Sequence, residues 1–237
     1  MPSYGLGPLW SRVEDALKGL IPVYDKVNRV ISLGQDLKLR RLAVAKAIKA
    51  IKGRDLIVLD AGCGPGTMSK TILDSTDCVK QIVLLDPLIE MLKESKHRLG
   101  EDRCAFVRAV FEYLPFRSGV FDVSVSTFAL RDAFDLTAAL IELSRVVKCG
   151  GVVLILDLGK PDSKLLQAVI GAYWRILAPF LASAYIGKGG LIYRLLYHTY
   201  LKLPTNAHLK KMVERLFTHI ELEEKIMGGV IILLAVK

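Results

Sequence analysis

The stretch Val58-Leu-Asp-Ala-Gly-Cys-Gly-Pro-Gly-Thr67 decides the fold of this 237-residue chain. An apolar, strand-like run ends at Asp60, and glycines follow at positions 62, 64 and 66, which let the backbone turn sharply and approach a ligand closely. In an open parallel sheet, ligands bind outside the carboxyl ends of the strands. The stretch therefore predicts a strand followed by a ligand-binding loop.

The glycine spacing separates two kinds of nucleotide-binding loop. Dinucleotide folds use G-x-G-x-x-G or G-x-G-x-x-A, which places a pyrophosphate at a helix N-terminus, whereas this loop is G-x-G-x-G followed by Thr67. The next apolar run, QIVLLD, ends at Asp86, where a carboxylate can accept both hydroxyls of a ribose. The loop resembles motif I of the class I S-adenosylmethionine-dependent methyltransferases, and this resemblance implies S-adenosyl-L-methionine as the cofactor.

Strand-like and helix-like runs alternate from residue 56 onward. Runs rich in Val, Ile and Leu are typical of strands buried on both faces of a parallel sheet. The predicted strands are Leu56–Asp60, Gln81–Asp86, Cys104–Val107, Phe121–Thr127, Val152–Asp157, Thr218–Glu223 and Gly229–Val236. Helical patterns occupy residues 69–75, 89–99 and 136–147, and Cys149-Gly-Gly predicts a helix stop. The alternation predicts a doubly wound α/β fold. The resemblance to class I methyltransferases implies a Rossmann-like, seven-stranded sheet that is mostly parallel with an antiparallel C-terminal strand.

Two regions lie outside this core. Residues 1–52 are predicted to form an N-terminal helical cover, in which Asp36–Lys52 is a basic, amphipathic helix with no acid after Asp36. Residues 162–203 are predicted to be an apolar helical insertion that packs on the sheet as a lid. No repeat or low-complexity linker interrupts the sequence, so we expect residues 1–237 to form a single methyltransferase domain.

The composition raises the question of a membrane. Hydrophobic residues make up 52% of the chain, which excludes disorder. The longest weakly charged run, residues 165–187, contains Arg175 and Pro179, which disfavour a spanning helix. The net charge of +9 suits an anionic membrane surface or nucleic acid. Since the first residues lack a signal-peptide pattern, we expect a cytoplasmic protein, with peripheral contact at the inner face of the membrane as a further expectation.

Metal and disulfide chemistry have little support in the sequence. The four cysteines lack C-x-x-C spacing and the four histidines lack partners at ligand spacing, so no metal site is expected. The thiols are expected to be buried and free, with a Cys78–Cys104 disulfide as the alternative.

Motifs spread over most of the chain resemble the menaquinone/ubiquinone-biosynthesis C-methyltransferase family. They are Tyr24-Asp-Lys-Val-Asn28, Ile31-Ser-Leu-Gly34, Leu114-Pro-Phe116, Phe128-Ala-Leu-Arg-Asp132, Leu156-Asp-Leu-Gly-Lys-Pro161 and Gly228-Gly-Val-Ile-Ile232. The resemblance implies C-methylation of a prenylated quinol, similar to demethylmenaquinol, in respiratory quinone biosynthesis. An RNA methyltransferase, an enzyme acting on another apolar small molecule, and a non-catalytic S-adenosylmethionine-binding regulator are the alternatives. Nucleic acid is not the expected partner, because Thr127-Phe-Ala-Leu replaces the Pro-Pro-aromatic motif of base-methylating enzymes. The sequence is compatible with either a monomer or a homodimer.

Three positions depart from the family pattern. Val110 stands where an acid or Asn usually meets the adenine amine, Ala129 replaces a glycine, and Asp132 replaces an asparagine. Backbone groups of Val110 are therefore expected at the adenine edge, with the ring of Phe111 packed on the base. The expected cofactor-binding residues are Asp60, Gly62, Cys63, Gly64, Gly66, Asp86, Pro87, Met91, Val110, Phe111 and Thr127.

The acceptor side is expected to depend on Arg131, whose guanidinium would stabilise a developing phenolate. Asp132 is expected to accept the proton through a water, and a surface ion pair or a helix cap is the alternative for this pair. Tyr24 and Asn28 share a helical face and are expected to close over the donor beside the substrate, with core packing as the alternative for Tyr24. His198 and Tyr200 in the insertion are expected to reach the ring hydroxyls.

Overall fold

A seven-stranded sheet lies at the centre of the molecule, in the order β3-β2-β1-β4-β5-β7-β6. The structure is a computed structural model and describes residues 4–51 and 53–237. The strands are β1 Leu56–Ala61, β2 Val79–Asp86, β3 Cys104–Arg108, β4 Phe121–Thr127, β5 Val147–Leu158, β6 His219–Lys225 and β7 Val230–Val236. Strands β1 to β5 pair in parallel, and β7 is antiparallel to both β5 and β6. The predicted α/β sheet with an antiparallel C-terminal strand is confirmed.

Helices cover both faces of the sheet. They are α1 Trp10–Leu20, α2 Tyr24–Ile31, α3 Asp36–Ala50, α4 Thr67–Ser75, α5 Ile89–Leu99, α6 Leu136–Val146, α7 Lys164–Ala172, α8 Ala178–Ile186, α9 Leu195–Lys202 and α10 Asn206–Val213. Apolar side chains of α3, α4 and α5 form the core on one face, and those of α6 and α10 form it on the other. The predicted end of α3 at Lys52 lies outside the described residues, as do residues 1–3 of the predicted cover.

The strand order places a ligand site between β1 and β4. The chain leaves β1 for β2 on one side and later returns to pair β4 with β1 on the other side. The two crossovers diverge at this point, and an open α/β sheet has a crevice at the carboxyl ends of the strands there. The glycine loop after β1 and the segment after β4 therefore meet at the same crevice.

The glycines at 150 and 151 are part of a strand and do not stop a helix. Helix α6 ends at Val146 and β5 begins at Val147. Phe121 pairs with Val147 and Val123 pairs with Val152, so residues 148–151 bulge out of the pairing opposite a single residue of β4. Gly150 permits the bulge because its φ is +76°.

The insertion packs chiefly on the N-terminal helices, and the prediction that it packs on the sheet is wrong. Helices α7 and α8 are joined by a π-helical stretch at Tyr173–Leu177, and a 3₁₀ stretch at Gly187–Arg194 leads into α9. Their inner side chains form a core with α1 and α2, which Leu158 at the end of β5 also joins. Because the insertion packs on α2, it can form the wall of a cavity on a side where the sheet does not enclose it.

All four cysteines are free. Cys63 and Cys104 are buried, Cys78 is half-buried and Cys149 is exposed, so the expected burial holds for two of the thiols and the alternative disulfide does not form.

Candidate active site

The glycine loop is shaped by two close approaches. Gly62 and Gly66 have φ values of +71° and +82°. A Cβ on Gly62 would lie 2.5 Å from the Cβ of Ala129 and 2.9 Å from the ring of Phe111, and a Cβ on Gly66 would lie 2.9 Å from Leu99. Glycine is therefore required at both positions, for space as well as for backbone conformation.

The loop borders a cavity of about 580 Å³, called here the donor cavity. Ten of the eleven predicted cofactor-binding residues line it: Asp60, Gly62, Cys63, Gly64, Asp86, Pro87, Met91, Val110, Phe111 and Thr127. The remaining residue, Gly66, directly precedes α4 and belongs to the loop without lining the cavity.

Two buried carboxylates face the donor cavity. Asp86 accepts hydrogen bonds from the backbone N–H groups of Gly64 and Leu88, both at 2.9 Å. Asp60 accepts two hydrogen bonds from Ser69 through Oδ2, while its buried Oδ1 has no hydrogen-bond partner among the described residues. Burial raises the pKa of each carboxyl to about 6. Asp60 therefore offers an acceptor atom, and a cationic ligand would favour its ionised form.

Arg40 also reaches this cavity, and sequence reasoning missed it. Its side chain is only 8% exposed, because it belongs to the buried stripe of α3 and not to the basic outer face. The guanidinium lies over the ring of Phe128, 5.3 Å from its centroid, and the buried Nε has no hydrogen-bond partner within the described residues. Burial lowers the pKa of Arg40, and nearby Tyr24 and Asp60 oppose the shift. Such a buried cation is suited to an anionic ligand group.

Helix α2 is fastened over the glycine loop by a small polar network. Asp25 accepts a hydrogen bond from the hydroxyl of Thr67 at 2.9 Å and pairs with Arg98 at 2.7 Å. Arg98 in turn donates to Thr67. This network joins α2, α4 and α5 and holds Tyr24, which adjoins Asp25, at the edge of the donor cavity.

A second cavity, of about 530 Å³, lies beneath the insertion and is called here the acceptor cavity. Its wall is mostly apolar and includes Ile31, Leu158 and Trp174. Four residues line both cavities: Tyr24, Arg40, Phe128 and Asp132. Phe128 has a φ of +53°, which is uncommon for an aromatic residue, and it stands directly after β4. The two cavities therefore meet at the carboxyl end of β4.

Arg131 is oriented by Asp157, a partner that sequence reasoning missed although it occupies the end of a predicted strand. Asp157 accepts hydrogen bonds from Nη1 and from the backbone N–H of Arg131, both at 3.0 Å. Nη2 lies 3.6 Å from Oδ2 of Asp132. Burial acts to lower the pKa of Arg131, but the charges of Asp132 and Asp157 outweigh it and hold the pKa above its ordinary value. Arg131 therefore stays a cation and lines the acceptor cavity only.

Asp132 is neither a surface residue nor a helix cap, so both alternatives for it are wrong. Its side chain is 13% exposed, and Asp135 caps α6 by accepting from the backbone N–H groups of Thr137 and Ala138. The buried Oδ1 of Asp132 lacks a hydrogen-bond partner in the described part of the chain. Burial raises the pKa of Asp132 to about 6, although the charge of Arg131 acts against the shift. A carboxylate with this pKa can accept a proton near neutral pH.

The structure corrects the two residues expected from α9. His198 is exposed, and Tyr200 is buried with its hydroxyl donating to the carbonyl of Gln167. Neither lines the acceptor cavity, whereas Thr199 and Tyr193 do. The buried hydroxyl of Tyr193 has no hydrogen-bond partner among described residues, and burial raises its pKa. Tyr24 and Asn28 both line the acceptor cavity, but only Tyr24 also reaches the donor cavity.

The donor cavity fits S-adenosyl-L-methionine group by group. Asp60 and Arg40 place a carboxylate with a free Oδ1 and a buried guanidinium with a free Nε near one another, which suits the ammonium and carboxylate of an amino acid. Asp86 is placed to accept the ribose hydroxyls, and the ring of Phe111 provides an apolar surface for a base.

Comparison with known proteins finds relatives over most of the chain. A model of the ubiE/COQ5 methyltransferase family matches residues 10–237. The "Ubiquinone/menaquinone biosynthesis C-methyltransferase UbiE" of Geobacter sp. (strain M21) is 30% identical over 217 residues, which cover 89% of this chain and 89% of that protein. The "Demethylmenaquinone methyltransferase" of Deinococcus radiodurans is 30% identical over 203 residues, with coverages of 85% and 82%.

Solved structures show the same fold at low identity. The plantazolicin methyltransferase BpumL in complex with SAH superposes with a TM-score of 0.66 at 14% identity and covers 95% of each chain. The YcgJ protein of Bacillus subtilis gives a TM-score of 0.54 at 19% identity and covers 82% of this chain and 97% of its own. With the family model matched over nearly the whole chain, the resemblance predicted from the motifs is confirmed: the chain belongs to the ubiE/COQ5 methyltransferase family and is an S-adenosylmethionine-dependent methyltransferase.

Proposed function

We propose that this enzyme methylates a ring carbon of a prenylated quinol, similar to demethylmenaquinol, in the biosynthesis of a respiratory quinone. One observation carries the proposal. An apolar cavity of about 530 Å³ joins the donor cavity at a group of polar side chains that includes Tyr24 and Asp132. A prenylated quinol has the same division, since its head is polar and reactive and its tail is apolar.

The tail is assigned to the interior of the acceptor cavity. Its walls come from α1, α2 and the insertion, and their side chains there are mostly aliphatic or aromatic. Cavities of about 300–1,000 Å³ with few polar groups are typical of sites for small apolar ligands. A nucleic-acid strand has phosphates that this wall would not solvate, which is why the RNA alternative ranks second.

The head is assigned to the junction, beside Arg131. When bound, S-adenosyl-L-methionine supplies a methyl group on a positively charged sulfur, which an electron-rich ring carbon attacks. Arg131 makes the ring electron-rich by stabilising a phenolate oxygen, and Asp157 fixes the guanidinium so that little reorientation is needed. Tyr193 and Tyr24 line the same cavity, and their hydroxyls can donate hydrogen bonds to ring oxygens.

Asp132 is assigned the role of accepting the proton that leaves the ring carbon. Methylation leaves the ring carbon with both the new methyl group and its original hydrogen, and that hydrogen must leave as a proton to restore the aromatic ring. The free Oδ1 of Asp132 at the junction is a suitable acceptor, directly or through a water. Arg131 cannot take this role because its pKa is held above its ordinary value.

The relatives support the substrate class. The names of the Geobacter and Deinococcus proteins specify ubiquinone/menaquinone biosynthesis and demethylmenaquinone as the acceptor. The acceptor cavity determines which quinol is accepted and how long its tail can be. A cytoplasmic enzyme at the inner face of the membrane would meet such a substrate.

The test is transfer of a labelled methyl group from S-adenosyl-L-methionine to a short-chain, water-soluble demethylmenaquinol. We expect label in the quinol when the ring is kept reduced, and none when it is oxidised, because the quinone ring is not nucleophilic. Total RNA is the parallel acceptor. Label in RNA with none in the quinol would overturn the proposal. If only another apolar phenol were labelled, the substrate would be a phenol of that kind and not a prenylated quinol.

A further inference from the structure

We infer that the outer surface of the insertion docks on an anionic lipid bilayer, so that the acceptor cavity opens onto the membrane. The inference rests on the proposed function, because it assigns the route by which an apolar substrate enters the site. It concerns the helices α7 and α8 and not the basic helix α3.

The first observation is an apolar stripe on the outside of α7, the π-helical stretch and α8. It consists of Leu165, Val169, Ile176 and Phe180, with exposed Ala172 between them. These positions recur every three or four residues, so they share one helical face. Leu165, Ile176 and Phe180 are 74%, 67% and 66% exposed. We call these residues the outer stripe.

The inner face of the same helices is already packed, so the exposure of the outer stripe does not come from a missing core. Ile170, Trp174, Ala178 and Ala182 are buried against α1 and α2. The segment Lys164–Lys202 is long and apolar enough to cross a membrane, and its helix continues from α7 through the π-helical stretch into α8 before the 3₁₀ stretch begins at Gly187. Only 33% of its apolar window is buried. An apolar surface of this kind on a folded protein marks an interaction site.

The second observation is that the outer stripe continues into the mouth of the acceptor cavity. Val169 and Leu177 line the cavity and are also exposed at the surface. Leu33, Ile226 and Met227 have the same two properties. All three residues have positive φ values, between 50° and 55°, which is strained for a branched residue such as Ile226. The rim of the cavity is thus apolar and continuous with the stripe.

The third observation is the sign of the charge around this surface. From position 164 to 202 the sequence has five cationic residues, Lys164, Arg175, Lys188, Arg194 and Lys202, and no Asp or Glu. Cationic side chains near an anionic bilayer are attracted to its surface, while apolar side chains insert below the headgroups. The same charges oppose a second copy of the chain as the partner, because a two-fold interface would bring like charges together.

Helix α3 is a poorer candidate for this contact. Arg40 is buried, and Lys46 is held near the sheet by ion pairs with Glu221 and Glu223. Lys38, Arg41 and Lys49 remain exposed, but the large apolar residues on the outer face of α3, Leu42 and Ile48, are only 36% and 39% exposed, less than those of the outer stripe.

The test is co-sedimentation of the full chain with vesicles of phosphatidylcholine alone and of phosphatidylcholine mixed equally with phosphatidylglycerol. We expect binding to the anionic vesicles, and a loss of about tenfold or more in partitioning for Ile176→Asp and for Phe180→Asp. Ile141→Asp is the matched control, since Ile141 is 48% exposed on α6 at a different surface. Lys188→Glu should weaken binding about fivefold or more, and Lys93→Glu should not.

Three results would overturn the inference: no vesicle binding by the unaltered chain, equal losses for Ile141→Asp and the stripe variants, or dissociation of a dimer by Phe180→Asp in sedimentation equilibrium. Methylation of the water-soluble quinol separates this outcome from the proposed function. Ile176 and Phe180 do not belong to the cavity wall, so both variants should methylate that substrate at the original rate. Failure of the unaltered chain to methylate it would count against the function, whereas failure to bind vesicles alone would count against docking.

Discussion

The donor and acceptor cavities lie side by side but are built by different means. The donor cavity is formed by the ends of β1, β2 and β4, where backbone turns and two carboxylates set its shape. The acceptor cavity is formed by helices from distant parts of the chain, and side chains set its shape. A site made by the backbone leaves a local motif in the sequence, whereas a site made by helix packing does not. The predictions below separate the two cavities by experiment.

The largest effect is expected for Arg131→Ala, which removes the cation from the acceptor cavity only. Turnover should fall by about 100- to 1,000-fold, because the charge on the ring oxygen loses its stabilising partner. Donor affinity should remain nearly unchanged, since Arg131 does not line the donor cavity. Single-turnover kinetics and calorimetric titration of the donor measure the two effects. Equal losses in both would mean that Arg131 holds the fold through Asp157.

Asp86→Ala should produce the converse result. The donor Kd should rise by about 10- to 100-fold, because a buried carboxylate that accepts ligand hydroxyls is lost. Turnover at saturating donor should remain close to that of the unaltered enzyme. If the rate at saturation fell as far as in Arg131→Ala, the division between the two cavities would not hold.

Arg40→Met tests the junction between the cavities. Donor affinity should fall by about tenfold, because the carboxylate of the donor loses its cation. The ligand-free protein should become more stable, since a buried cation with an unpaired Nε is replaced by an apolar side chain of similar length. Thermal denaturation with and without donor measures both. A lower melting temperature of the free variant would show that Arg40 is a structural residue.

The smallest effect is expected from pH. The carboxyls of Asp60, Asp86 and Asp132 have folded-state pKa values of about 6, above the ordinary 3.8. Because the folded state binds these protons more readily than the unfolded state, this contribution stabilises the free protein as pH falls from about 6.5 toward about 4.5. Below that range Glu142 and Glu223, whose pKa values are lowered, act in the opposite direction.

The donor should show the reverse dependence. Its ammonium and ribose hydroxyls favour ionised Asp60 and Asp86, so the increase in melting temperature on adding donor should shrink as pH falls through about 6. Melting scans at about pH 7 and about pH 5.5, with and without donor, measure this change, which should amount to a few degrees. A donor-induced increase that is the same at both pH values would contradict ionised carboxylates in the donor site.

The contrast between the two cavities explains which parts of the site could be predicted from the sequence. The strands, the glycine loop and Asp86 could be predicted because the residues of each strand and loop are adjacent in sequence. Arg40 could not, since it lies between exposed Lys38 and Arg41 in a basic run, and only the buried stripe of α3 distinguishes it. The signal that could have found it is its spacing of three, four and seven residues from Ala43, Val44 and Ala47, all of which are buried.

The error in α9 has a geometric cause. His198 and Tyr200 flank Thr199, which lines the acceptor cavity together with Leu195 and Leu196 of the same helix. Successive residues on a helix point about 100° apart, so a choice that is one position off faces another direction. Tyr193 lies in a 3₁₀ stretch after Gly187, where neither helical nor strand periodicity indicates which side is buried.

Four residues belong to the walls of both cavities, and this has a consequence for inhibition. A ligand in either cavity contacts Tyr24, Arg40, Phe128 and Asp132. If binding in one cavity rearranges these side chains, the affinity of the other cavity for its ligand changes, and the effect is equal in both directions. A single molecule that joins an adenosine-like group to an apolar phenol would occupy both cavities at once. Linking the two halves makes the second binding event intramolecular, so such a bisubstrate compound should bind far more tightly than either half.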